Sequence, residues 1–206
     1  MEIIPGILVH TLKELKEELH KLSWAEKVHI DIMDGKFVSN RTIQANDLKK
    51  ALPKMDMQIH LMAYKPHKYI KQFAQLGAKE LIIHAEATKN LAETLEDIRL
   101  AGMKSGIAFN PETPVKRYKD AIQHADIGLV MTVRPGSSGQ AMRKEKLLKL
   151  LDVLSYNLSI RRGVDGGINL SNCKSAAKQA NFLVATHAIT EAEEPRKAYL
   201  ELKKRC

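Results

Sequence analysis

Short runs rich in Val and Ile return at regular intervals along the chain, and between them apolar residues fall three and four positions apart. The first pattern is that of buried strands, the second that of helices with one apolar face. Strands are predicted near Ile3 to Leu8, Val28 to Met33, Gln58 to Met62, Glu80 to His84, Ser105 to Phe109, Ile127 to Thr132, Ile160 to Asp165 and Phe182 to Ala185. Helices are predicted at Leu12 to Leu22, His67 to Leu76, Leu91 to Ala101, Val115 to Gln123, Glu145 to Leu154, Asn172 to Gln179 and Glu193 to Lys203, with a shorter one at Asp47 to Leu52. Strict alternation of strand and helix calls for a parallel sheet.

Eight such units close into a barrel, although a doubly wound open sheet shares the same alternation. Polar residues late in apolar strands favour the barrel, because its site is built at the C-terminal strand ends. His29 and Asp31, His60, His84, Asn110, Asp165 and His187 all lie there. No Pro/Gly/Ser-rich linker interrupts the 206 residues, so one α/β domain, a (β/α)₈ barrel spanning 1–206, is expected.

Composition narrows the partners. The formal charge of +9 admits an anionic ligand, but the lysines are scattered through amphipathic segments and aromatics make up only 5% of the chain. Single-strand nucleic-acid binders interleave aromatic and basic residues, and no such strip is present, so no nucleic-acid partner is expected. No apolar run is long enough to cross a bilayer, so no membrane association is expected. Cys173 and Cys206 make neither a metal-ligand spacing nor a disulfide framework, and a reducing cytoplasm is the expected compartment.

The segment VHIDIMDG places His29, Asp31 and Met33 on one face of a strand, since side chains alternate with period two. QIHLM adds His60 and Met62, and GVDGG adds Asp165 ahead of Gly166 and Gly167, which allow a tight turn. Two imidazoles and two carboxylates suit one divalent ion, zinc, iron, cobalt or manganese, with positions left for substrate oxygens. The ligand types do not select among these metals.

From end to end the chain resembles the ribulose-phosphate 3-epimerase family. The family's P-S-I-L strand is met by Pro5 to Leu8, its H-I-D-x-M-D-G by His29 to Gly35 and its H-L-M by His60 to Met62. HAEAT at His84 to Thr88, NPETP at Asn110 to Pro114, VMTVRPGSSGQ at Val130 to Gln140 and VDGGIN at Val164 to Asn169 keep the family's order and spacing. The resemblance implies that His29, Asp31, His60 and Asp165 hold the metal and that Asp31 and Asp165 are the acid/base pair. It implies inversion at C3 of a ketose phosphate by proton transfer through an enediolate, with Met33, Met62 and Met131 lining the site. Substrate contacts are implied at Gly6, His60, Gly136, Ser137, Ser138, Gly139, Gly166 and Gly167.

The match departs from the family around the phosphate. Gly6 replaces a serine, Arg134 an Asn or Asp, and Gly136-Ser137-Ser138-Gly139 stands for G-F-G-G. Thr186-His187 stands where the family has G-S, and His10 is a further polar group near the mouth. Arg134, Thr186 and His187 are therefore candidates for a rebuilt phosphate site. Alternatives are an allulose-6-phosphate 3-epimerase or a catalytically impaired sugar-phosphate binder. A decarboxylase of the orotidine-phosphate type needs an Asp-x-Lys-x-x-Asp strand, and IDIMDG lacks the lysine. The family includes dimers and larger rings, so the resemblance implies a homo-oligomer.

Overall fold

In the computed structural model, which describes all 206 residues, the strands run β1 (Glu2–Ile7), β2 (Lys27–Met33), β3 (Asp56–Met62), β4 (Glu80–His84), β5 (Lys104–Phe109), β6 (Ile127–Met131), β7 (Arg161–Asp165) and β8 (Phe182–Ala185). All pairings are parallel and follow chain order, and β8 returns to pair with β1. The sheet is therefore a closed barrel, and the open doubly wound arrangement is excluded. Strand limits fall within two residues of those expected from the apolar runs.

The helices are α1 (Leu12–Lys21), α2 (Ala45–Lys50), α3 (Ile70–Gln75), α4 (Leu91–Leu100), α5 (Lys119–Ile122), α6 (Lys149–Tyr156), α7 (Cys173–Ala177), α8 (His187–Thr190) and α9 (Pro195–Arg205). Thr11 starts α1 with a capping box: its hydroxyl accepts from the Glu14 N–H, while the Glu14 carboxylate accepts from the Thr11 N–H. Three expected helices begin instead as 3₁₀ turns, at Pro66–Tyr69, Val115–Tyr118 and Lys144–Leu148. In the first two, Pro66 and Pro114 sit at the start, and proline fixes φ while offering no N–H. The four-residue α8 was not expected as a separate helix, being too short for a helical period to register.

Alternation along each strand divides the core in two. Outward residues pack under the helices, and Ile4, Ile82, Ala108, Ile127, Leu129, Met131, Phe182 and Val184 form the filling inside the barrel. Gly163 is required there, because a Cβ at that position would collide with the Phe182 ring. Below that filling the interior is charged. Lys27 lies 2.9 Å from Glu80 and 3.5 Å from Glu2, and Arg161 bonds Glu80 at 3.2 Å and also Glu2. Burial raises the Glu80 carboxyl, but the Lys27 and Arg161 charges outweigh it and hold Glu80 below its ordinary value.

One expectation is corrected. Cys173, at the start of α7, is disulfide-bonded to Cys206 at the end of α9, with Cα atoms 5.6 Å apart. The pairing depends on α9 docking beside α7, which a sequence separation of 33 does not reveal. The inference of a reducing compartment rested on unpaired thiols and loses that support. Cys206→Ser is expected to lower unfolding free energy by about 2–4 kcal/mol, the usual worth of a crosslink closing such a loop. Urea unfolding with and without reductant checks this: the two curves should differ for the native chain and coincide for the variant.

Candidate metal centre

Period-two alternation points Asp31 and Met33 inward at the top of β2, with His29 one step below them. Neighbouring β3 is in register, pairing Asp31 with His60 and Met33 with Met62. β7 ends on Asp165, and Gly166 and Gly167 take φ of +113° and +67° to turn the chain away. One ligand atom from each of His29, Asp31, His60 and Asp165 lies within 4.8 Å of the others. His60 Nδ1 is 2.9 Å from Asp31 Oδ1 and 3.6 Å from Asp165 Oδ2. His29 Nε2 is 3.4 Å from Asp31 Oδ1 and 3.9 Å from Asp165 Oδ2.

Hydrogen bonding beneath the cluster orients His29. Gln58 Nε2 donates to Glu80 Oε2, so the Gln58 oxygen faces His29 Nδ1 at 2.6 Å and must accept from it. In the neutral ring the lone pair is then on Nε2, a buried atom with no hydrogen-bond partner. An unpartnered buried nitrogen facing two carboxylates fits a cation between them. The residues present therefore suit a divalent ion.

Without such an ion, a proton takes its place. Burial opposes charge on His29, but Asp31 and Asp165 more than offset it and raise the ring to about 9. Burial also raises Asp31, yet the His29 and His60 imidazoles hold that carboxyl far below its usual range. Asp165 is pushed upward by burial and by the Asp31 charge. The two carboxyls are thus driven apart in proton affinity.

Above the cluster opens a cleft of about 710 Å³, open solvent at its mouth included. Met33, Met62 and Met131 line it with Asp31 and Asp165, and its rim carries Arg134, Gly136 to Gly139, Gly166, Gly167, Thr186 and His187. His29 and His60 lie beneath the cleft wall, fully buried. Arg134, Ser137, Ser138 and His187 are exposed, and neither Arg134 nor His187 has a carboxylate partner. His10 does not line the cleft; its Nδ1 lies 2.8 Å from the Arg41 carbonyl oxygen.

Gly6 and Thr186 are coupled. Gly6 is buried and off the cleft wall, and a Cβ added to it would collide with Thr186 Oγ1. The side chain absent from β1 leaves the space that the Thr186 hydroxyl fills at the end of β8.

Gly167 joins two loops backbone to backbone. A Cβ there would meet the Gln140 carbonyl oxygen and lie 2.6 Å from the Met142 nitrogen. Gly167→Ala is expected to cost about 3 kcal/mol, from about 1–2 kcal/mol for the left-handed backbone and about 1–3 kcal/mol for overpacking. Because the displaced loop carries the rim from Arg134 to Gln140, weaker binding of an anionic ligand in the cleft should accompany the loss. Thermal unfolding and phosphate-ester titration measure the two effects.

The sequence reading did not single out Gln58, Glu80 or Thr42. The Thr42 hydroxyl donates to the Asp31 carbonyl oxygen at 2.8 Å and accepts the Met33 N–H at 2.9 Å, bracing the top of β2. Parity was the available signal for the other two, since Gln58 shares the His60 face and Glu80 the His84 face.

Comparison with known proteins agrees with this geometry. The family model described as "Ribulose-phosphate 3 epimerase family" matches residues 2–190. The ribulose-phosphate 3-epimerase of Mycobacterium leprae is 37% identical over 99% of this chain and 94% of its own. That of Bacillus subtilis is 34% identical over 98% of each. Among solved structures, 3-hexulose-6-phosphate synthase from Salmonella typhimurium superposes with TM-score 0.71 at 18% identity over 100% of both chains. Orotidine 5'-phosphate decarboxylase from Pyrococcus horikoshii OT3 does so with TM-score 0.67 at 12% identity over 98% of both chains. At these identities the two solved structures share the fold alone. The match over nearly the whole chain, together with relatives above 30% identity, establishes that the protein belongs to the ribulose-phosphate 3-epimerase family, isomerases acting on carbohydrates.

Proposed function

We propose that the protein inverts C3 of a ketose phosphate in a metal-dependent reaction, interconverting D-ribulose 5-phosphate and D-xylulose 5-phosphate. The observation that carries this reading is the convergence of His29, Asp31, His60 and Asp165 within 4.8 Å beneath a cleft with Arg134 and His187 on its rim. The names of the relatives at 37% and 34% identity supply the pentulose phosphate.

In the ribulose-to-xylulose direction Asp31 removes the C3 proton as base, and Asp165 returns a proton to the opposite face as acid. Microscopic reversibility exchanges the two roles in the return direction. A zinc, iron, cobalt or manganese ion held by the four side chains would supply positive charge at the reacting oxygens. Met33, Met62 and Met131 surround the reacting carbon with polarizable thioethers and limit water. Arg134 and His187 face the phosphate, with backbone N–H groups of the Gly136–Gly139 and Gly166–Gly167 turns beside them. Retention of all four ligand side chains speaks against a catalytically impaired binder.

Thr186 and His187 alter the turn that would receive the phosphate, so the sugar is tested directly. The metal-loaded protein is given ribulose 5-phosphate and allulose 6-phosphate separately, and kcat/KM is measured for each. The pentulose should be the better substrate. A higher kcat/KM for the hexulose would reassign the substrate within the same reaction.

A further inference from the structure

We propose that Asn40 and Gln140 are positioning residues that hold the turn from Arg134 to Gln140 with its N–H groups toward the cleft, ready for an anion before one arrives. This rests on reading the cleft as a sugar-phosphate site. Neither side-chain amide needs to touch the phosphate; both act through carbonyls of the turn.

None of the N–H groups from Gly136 to Gln140 donates to another group of the protein. Carbonyls of the same turn are partnered instead. Asn40 Nδ2 donates to the Gly136 oxygen at 2.8 Å. Gln140 Nε2 donates to the Arg134 oxygen at 2.8 Å and the Ser137 oxygen at 3.0 Å, with Ser137 Oγ at 3.2 Å. In a planar trans peptide the C=O and the following N–H point opposite ways. Holding the Gly136 oxygen therefore aims the Ser137 N–H, and holding the Ser137 oxygen aims the Ser138 N–H. Asn40 lies off the cleft wall whereas Ser137 and Ser138 line it, so the Ser137 N–H faces inward. Gly136 and Gly139, with φ of +123° and +78°, allow this curvature. Successive N–H groups turned to one side form a concavity for an anion. A Cβ on Gly139 would lie 4.0 Å from His187 Nδ1, so the concavity adjoins an imidazole across the rim.

Hydrogen-bonding chemistry fixes both amide orientations. Asn40 Oδ1 accepts the Arg41 N–H at 2.8 Å, which leaves the amide nitrogen for Gly136. Gln140 meets two carbonyl oxygens, which only accept, so its nitrogen must face them. The segment that carries Asn40 is itself held down. Asp34 Oδ1 accepts the Lys36 N–H at 2.8 Å and the Phe37 N–H at 2.9 Å, while Oδ2 accepts the Tyr64 N–H at 2.8 Å. A Cβ on Gly136 would lie 3.7 Å from Val38 Cβ, so this segment also packs against the turn. The turn is thus supported from the loop after β2 and from within, and an incoming anion does not have to order it.

Asn40→Ala with Gln140→Met removes both donors. In the metal-loaded double variant, the KM for ribulose 5-phosphate and the inhibition constant for inorganic phosphate should each rise about tenfold, because binding must then order the turn. A loss confined to binding leaves kcat within about threefold of native, and zinc affinity unchanged. Native KM and native phosphate inhibition in the folded variant would overturn the inference, as would a fall in kcat at unchanged KM. Hydrogen exchange of the Asn40 and Gln140 side-chain amides in the native protein reads the same point even if the variant does not fold. Protection before phosphate is added is the expected result; protection that appears only with phosphate, or not at all, overturns the preformed turn. If the native protein neither epimerises ribulose 5-phosphate nor binds inorganic phosphate, the sugar-phosphate reading itself fails and this inference with it.

Discussion

Asp31→Asn and Asp165→Asn are each expected to lower epimerisation about 10³-fold, within the range of about 10²–10⁴ that a positioned acid or base contributes. An amide retains the size and the acceptor oxygen of the carboxyl but neither takes nor gives the proton. Both carboxyls sit in a buried set held by His29, His60 and the strand ends, with Thr42 bracing the β2 backbone at Asp31. Losing the charge at either position relieves like-charge proximity, so the barrel should stay folded. Steady-state assays paired with circular dichroism and thermal melting test the prediction. Full turnover in either folded variant contradicts the assignment.

Stripping the metal is expected to abolish turnover and also to lower stability. Two carboxylates and two imidazoles within 4.8 Å form a crowded site whose excess negative charge a divalent ion neutralises. An ion bound only by the folded state, present at 100 times its Kd, adds about 2.7 kcal/mol to the unfolding free energy. Exhaustive chelation should therefore lower the melting temperature along with activity, and zinc, iron, manganese or cobalt should restore both. A chelated sample that keeps full turnover, with metal content verified by elemental analysis, would remove the ion from the account.

The architecture was legible because each level of the sequence agrees. Val/Ile runs mark the eight strands, and the barrel's C-terminal rim explains why Asp31, His60 and Asp165 occur late in them. Period two then placed each imidazole or carboxylate on the inner face. What escaped reading depends on contacts between distant segments. Gln58 and Glu80 look like ordinary strand polar residues until the closed barrel brings Lys27 and Arg161 beneath them. His84 lies in a visible HAEAT motif, yet its contact with His60 requires β3 and β4 to be assembled side by side. Gly6 and Thr186 read as two separate departures, whereas in space the one side chain fills the room left by the other. The Cys173–Cys206 bond likewise follows only from the docking of α9.

A proton NMR time course in D₂O distinguishes two-aspartate proton transfer at C3 from every other route. Metal-reconstituted protein is mixed with ribulose 5-phosphate, and the C3 proton and the xylulose 5-phosphate signals are followed together. Loss of the C3 proton to deuterium as xylulose 5-phosphate accumulates is the predicted result, because the proton returned to the opposite face comes from a group that exchanges with solvent. Neither deuteration nor product with zinc, iron, manganese or cobalt would contradict the account.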